Sequence, residues 1–406
     1  MNPKNKGETN MKLGLSVYPE QETLEQIEAY LTLGAKYGFD TIFTSIFSVD
    51  GTRKEIVDYF KKLTDIAHGL GYVVDGDVNT WFFEKIGASY DDLSVFNEMG
   101  IDILRMDGPY GDERDAALIN NPFGIRIEYN TSMIRVVDNA LAHGAEKERI
   151  STCHNFYPQR YTAPSYEQIK GMNAHFHKLG IPVAMFLNSQ VEGTHGPWPV
   201  SDGLPTIEEH RDMPVSAQLK HMLAMKTIDL ALFGNAFASE QELEAVARVL
   251  DKATVSLKEV DPKMARALRS MYAMHGKTVP KEQLVRIPFL IHEEEGLSEA
   301  EKERLYFGFH ADLGDCLNYM LRSRLSRMAC GKEEIKPRVC DKPMFERGDV
   351  VIVNDHLRHY AGEVQIVLKP MKNDGQRNLL GYVDASEEEI FDLIEALDFF
   401  TFVKAE

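Results

Sequence analysis

The chain has 406 residues, more than a single hydrophobic core ordinarily serves, so two domains are expected. Apolar residues at 44% and charged residues at 27% exclude a disordered or collagen-like polymer. A formal net charge of -18, with no basic stripe interleaved with aromatics, sets aside nucleic acid and anionic membrane as partners and leaves a small molecule, held locally by arginine if anionic.

Residues 1–10 are polar, lack the apolar core of an export signal, and are expected to form a disordered arm. No apolar run reaches ~18 residues, so no membrane helix is expected and the location is expected to be cytoplasmic. From Met11 the chain alternates short apolar runs with helical patterns. Eight runs read as strands: Leu13–Tyr18, Phe39–Phe47, Tyr72–Val78, Ile101–Asp107, Phe123–Tyr129, Ile150–Phe156, Ile181–Leu187 and Thr227–Phe233. Helices are expected between them, among others at Thr23–Tyr37, Arg53–Leu70, Thr131–His143, Ser165–Leu179, Val215–Met225 and Ser239–Leu257. Near-continuous apolar strands suit a parallel sheet covered on both faces, and eight strands close a barrel; the expectation is an α/β (βα)8 TIM barrel over residues 11–257. The alternative is an open doubly wound sheet, but no GxGxxG follows the first strand to mark it.

Residues 258–280 read as a linker holding a connecting helix, and 281–406 as a small mainly-β domain. Its strands are expected at Val285–Ile291, Asp349–Asp355, Glu363–Lys369, Asn378–Asp384 and Phe400–Lys404, with a helix at Glu387–Leu397 and a solvated turn at His292–Glu295. Glycine-containing turns between the strands predict an antiparallel barrel or sandwich. Cys153, Cys316, Cys330 and Cys340 form no CxxC pair and read as buried reduced thiols.

In such barrels the chemistry sits at the C-terminal strand ends, and here polar residues recur at every one. They are Glu20 after the first strand, Thr44 and Ser45 on the second, Asp75, Asp77 and Asn79 on the third, and Arg105 and Asp107 on the fourth. Glu128 and Asn130 follow on the fifth, His154 and Asn155 on the sixth, Asn188 on the seventh and Asn235 on the eighth. Any one of them is as readily a turn former. Carboxylates converging on one mouth suit glycoside hydrolysis, where one protonates the leaving oxygen and another serves as base or nucleophile. Asp77 and Asp107 are the candidates, with Glu20 beside them. The long segment Ser189–Met213 carries Glu209-His210-Arg211, which offers an acid or base and a fork for phosphate; the bland alternative is a turn that caps the next helix. The Ser239-Glu240-Gln241-Glu242 capping box occupies the helix start after strand eight, so Arg105 and Arg211 are the better phosphate partners. No metal or other cofactor is expected: His175 and His177 lie two apart on a helix, His356 and His359 lack a third ligand, and no P-loop or G-x-S-x-G occurs.

Several stretches, LGLSVYPE, FTS, LRMDGPYG, CHNFYPQRYT, GLPTIEEHR and GDVVIVNDHLRHYAGEVQI, together resemble the bacterial 6-phospho-N-acetylmuramidase family, whose members often carry the label outer surface protein. The resemblance implies a TIM barrel joined to a cyclophilin-like β domain. It also implies an intracellular hydrolase of MurNAc-6-phosphate-GlcNAc in cell-wall (peptidoglycan) recycling, and its motifs fall on Glu20, Arg105, Asp107, His154, Asn155, Glu209, His210 and Arg211. The sequence departs at His195-Gly196-Pro197-Trp198, where the family pattern has an arginine before Gly-Pro. The expected function is hydrolysis of a phosphorylated amino-sugar disaccharide, with Asp107, Asp77 and Glu209 catalytic. Substrate would be bound by Glu20, Arg105, His154, Asn155, Asn188, His210, Arg211 and Asn235. A phosphosugar lyase or isomerase, and a non-catalytic sugar-phosphate binding protein, stand as alternatives.

Overall fold

The computed structural model describes residues 11–46, 49–198, 202–314, 318–331 and 333–405; the arm at 1–10, Phe47 and Cys316 lie outside them. Eight parallel strands close a barrel in chain order: β1 (Lys12–Val17), β2 (Thr41–Ser45), β3 (Val73–Val78), β4 (Ile103–Met106), β5 (Arg126–Asn130), β6 (Ile150–Cys153), β7 (Val183–Leu187) and β8 (Leu230–Phe233). β8 pairs back onto β1, with Lys12 opposite Leu230 and Gly14 opposite Leu232. Helices alternate with the strands, which makes this the TIM barrel expected from the periodicity. Their construction is local: Arg53–Gly69 starts with a Thr52/Glu55 capping box and buries Ile56, Val57, Phe60, Leu63 and Ala67 along one stripe. Gly100 ends the helix Ser94–Met99 in the left-handed region at φ 80°, turning the chain into β4.

Successive side chains of a strand face alternately into and out of the barrel. The inward set divides by chemistry. Tyr18, Phe43, Cys153, Ala184, Phe186 and Leu232 form an apolar cluster contributed by β1, β2, β6, β7 and β8. Through β3, β4 and β5 the register instead aligns Asp77 with Arg105 and Arg105 with Glu128, and Glu128 with Ser151 of β6. The barrel interior is therefore oil on one side and ionisable on the other.

By its internal contacts the chain divides into a unit Asn10–Ala247 and a unit built from Arg248–Glu406. The second unit is a mainly-β, barrel-like sheet. Its strands are β9 (Thr254–Ser256), β10 (Gln283–Glu293), β11 (His310–Ala311), β12 (Met320–Ser323), β13 (Met344–Phe345), β14 (Asp349–Val353), β15 (Val364–Val367), β16 (Met371–Lys372), β17 (Arg377–Val383) and β18 (Phe399–Lys404). The main sheet runs β11-β18-β10-β17-β14-β15-β12, with β9 added on β10 and β13 paired separately with β16. The segment 258–280 holds the helix Pro262–Met274, whose Met264, Leu268 and Met271 pack with Leu284, Leu325 and Phe399 in this unit's core.

Three expectations are corrected. The helix expected to reach Leu257 stops at Ala253, and Thr254–Ser256, two of its three residues β-branched, pairs antiparallel with β10. The sheet is not wholly antiparallel: β10 and β18 run parallel from Arg286/Phe399 to Ile291/Lys404, a pairing between segments over a hundred residues apart. His292 and Glu293 belong to β10 rather than to a solvated turn, and His292 Nε2 lies 2.9 Å from Asp384 Oδ2.

Candidate active site

Arg105, on β4, is 4% exposed and anchors the polar half of the interior. Its guanidinium carbon stands 5.4 Å from the Phe43 ring centre and 6.0 Å from that of Phe186, so two aromatic faces fix its plane. Nη2 donates to Asn155 Oδ1 at 2.7 Å and to the His154 carbonyl at 3.5 Å. Around this cation stand three carboxyls. Asp75 and Glu128 are buried, and Asp75 Oδ1 and Glu128 Oε1 each lack a hydrogen-bond partner. Burial raises both, while Arg105 pulls in the opposite direction; Ser151 Oγ donates to Glu128 Oε2 at 3.1 Å.

Asp77 is the carboxyl nearest the mouth in this set. Burial pushes it up to about 7, Arg105 opposes that, and the negative charges of Asp107 and Glu128 add to it. Its Oδ1 is buried without a hydrogen-bond partner. Asp107 comes one residue after β4, exposed, with its N–H donated to the Val78 carbonyl of β3 at 2.8 Å. The sequence-derived pair thus meets on adjacent strands: one carboxyl sheltered and protonated into the neutral range, the other at the rim in water. That division of roles is what acid and base chemistry at one bond requires.

The β1 end adds a carboxyl that the sequence reading passed over. Glu20 is exposed, whereas Glu22 has a side chain only 1% exposed, and burial pushes it up to about 8 despite the Tyr18 N–H it accepts at 3.0 Å. His195 of the long loop after β7 approaches Glu22 Oε1 with Nε2 at 3.3 Å, near enough for an ion pair but not aligned as a hydrogen bond. His195 and Ala236 exchange backbone hydrogen bonds, which fixes this loop to the β8 end. The only sequence signal for Glu22 is a second acid two residues after Glu20.

The expected site residues of the loop after β7 make hydrogen bonds within the protein. Glu209 Oε1 accepts the Tyr166 N–H at 3.0 Å, at the start of the helix Tyr166–Leu179, and its Oε2 is buried without a partner. His210 is fully buried with Nε2 2.9 Å from His221 Nδ1, and burial followed by the neighbouring imidazole holds it well below the usual histidine range. Arg211 is 2% exposed, with its fork spent on Glu208 and the carbonyls of Asp202, Tyr157 and Gln159; it offers nothing to a phosphate. Asn188 donates to the Arg211 carbonyl at 2.7 Å and accepts from Leu204 N at 2.7 Å, while Asn235 Oδ1 accepts the Ser189 N–H at 3.0 Å. His154 Nε2 meets Asn173 Oδ1 at 2.6 Å, and burial brings it down to about 4, so it is neutral. The structure gathers Asn155, Asp77 and, through Asp77, Asp107 around Arg105, and gives Glu209, His210, Arg211, Asn188 and Asn235 partners within the loops, with Glu209 Oε2 and His210 Nδ1 left unpartnered.

Among the described residues no group of three or more His, Cys, Asp or Glu side chains could hold a metal, and no helix is long and apolar enough to cross a membrane. Two family models match the chain: the N-terminal 6-phospho-N-acetylmuramidase model over residues 13–248 and the C-terminal one over residues 287–403. The crystal structure of an uncharacterized B. cereus protein is 33% identical, covering 97% of this chain and 99% of that one, at a TM-score of 0.80. A conserved Enterococcus faecalis protein of unknown function is 23% identical over 97% of this chain and 96% of that one, at a TM-score of 0.64, and shows the shared fold. No curated protein matches.

Proposed function

Because the chain belongs to the 6-phospho-N-acetylmuramidase family, a family of glycosidases, we propose that it hydrolyses the glycosidic bond of MurNAc-6-phosphate-GlcNAc in the recycling of cell-wall fragments. The observation that supports the reading is the unequal pair of neighbouring carboxyls at the barrel mouth. Asp77, protonated into the neutral range, gives its proton to the leaving glycosidic oxygen. Asp107, at the solvated rim, meets the sugar as base toward water or as nucleophile. Arg105 keeps a permanent positive charge in the mouth and draws Asp77 and Glu128 toward their ionised forms, against the burial that raises them. The reading carries a cytoplasmic location with it, the side of the membrane on which recycled, phosphorylated fragments would be processed.

The test is incubation of the protein with MurNAc-6-phosphate-GlcNAc and with the unphosphorylated disaccharide, products being followed by mass spectrometry. GlcNAc is expected from the phosphorylated compound only; release from neither overturns the substrate. Asp77→Asn and Asp107→Asn should each lower kcat by roughly 10²–10⁴-fold. The wild-type kcat/KM should fall above about pH 7 as Asp77 loses its proton, and that alkaline limb should be missing from whatever activity Asp77→Asn retains.

A further inference from the structure

Asn130 closes β5 on the inward side, sharing the parity of Glu128, and is 7% exposed. The last register pair between β4 and β5 is Met106 with Tyr129, so Asn130 follows on one strand as Asp107 follows on the other. Its amide has only one possible orientation. Oδ1 accepts the backbone N–H of Ser132 at 2.9 Å and the Ser132 hydroxyl at 2.6 Å. A backbone N–H is a donor only, so the atom facing it must be the oxygen. Nδ2 is therefore turned away, buried, and has no partner. A buried amide left without an acceptor is destabilising, so a donor held this way is expected to meet an acceptor when the site is filled.

Building on the glycosidase reading above, we propose that Asn130 is a specificity residue whose Nδ2 donates to the acetamido carbonyl of the 2-acetamido sugar bound beside Asp107. The acceptor is constrained by the surroundings. A carboxylate or phosphate oxygen would sit against the acidic groups Asp77, Asp107 and Glu128, which interact with one another across β3, β4 and β5. A hydroxyl would bring a hydrogen that Asn130 cannot receive, since Oδ1 is already taken. A neutral carbonyl accepts, carries no charge and asks for no acceptor in return.

The experiment compares kcat/KM for MurNAc-6-phosphate-GlcNAc and for the same disaccharide N-deacetylated at the muramic residue. Wild type should favour the acetylated compound by roughly 10–100-fold, the discrimination a site gains from one satisfied buried donor. Asn130→Asp keeps the acceptor for Ser132 and removes the donors; Asn130→Ala removes both. In each variant the preference should shrink to within about threefold, chiefly through loss on the acetylated substrate. An unaltered preference in Asn130→Asp with an unshifted melting temperature overturns the proposal, as does an equal loss on both substrates. Wild-type turnover of neither compound would instead overturn the glycosidase reading, so the two failures are distinct.

Discussion

Asp77 carries a conflict between stability and use. Its folded-state pKa, about 7, lies above the ordinary aspartate value of about 3.9, so between those values the folded chain binds more protons than the unfolded one. Stability is therefore lost as pH rises through that window, and the penalty is complete above about pH 7, at most about 4 kcal/mol for a shift of some three units. Asp77→Asn should remove it: the variant should melt several degrees above wild type at pH 8 and level with it near pH 4, while turning over far more slowly. Equal melting at both values would mean that Asp77 is not strained. Asp77 and Arg105 were legible in the sequence because a polar residue at the end of a buried strand stands out. Asp75 and Glu128 were visible as strand-end acids, but the nearness that lets Glu128 push Asp75 further up depends on side chains converging from β3 and β5 across β4, which no single strand's pattern records.

At the scale of an element, the loop after β7 shows what composition leaves out. Glu209-His210-Arg211 offers an acid, an imidazole and a guanidinium in succession, yet here Arg211 pairs with Glu208, His210 meets His221 and Glu209 accepts the Tyr166 N–H. The loop's path is set by contacts that sequence spacing does not contain. Gly203 has φ 78°, and a Cβ there would stand 2.1 Å from Asn188 Oδ1, so this turn and Asn188 determine each other. Arg211 ties the turn to the loop after β6 through Glu208, whose carboxyl the guanidinium, and then two backbone N–H groups, hold down at about 2. Arg211→Ala would strand Glu208 and three carbonyls, and chemical denaturation should register a loss of about 3 kcal/mol. KM should rise more than kcat falls if the loop shapes the mouth; a variant as stable as wild type would show that the knot is dispensable.

Over the whole molecule, the first unit was readable because βα periodicity is local and repeats eight times around one closed sheet. The second was readable as mainly β but not as this sheet. The parallel match of β10 with β18 depends on a long-range encounter, and β9 hid at the end of a helical pattern. Net charge at -18 turns attention from polyanions to local chemistry, and ionisable groups gather in the divided barrel interior.

That divided interior has a thermodynamic signature. One guanidinium faces Asp75, Asp77 and Glu128, so the mouth stores protons whose number responds to whatever enters. An incoming anion raises the affinity of each carboxyl for its proton, and the protein should draw hydrogen ions from solution as it binds. Titration calorimetry with MurNAc-6-phosphate at pH 7 should give apparent enthalpies that vary linearly with the ionisation enthalpy of the buffer, the slope reporting net uptake of a fraction of a proton. Asp77→Asn should flatten that line.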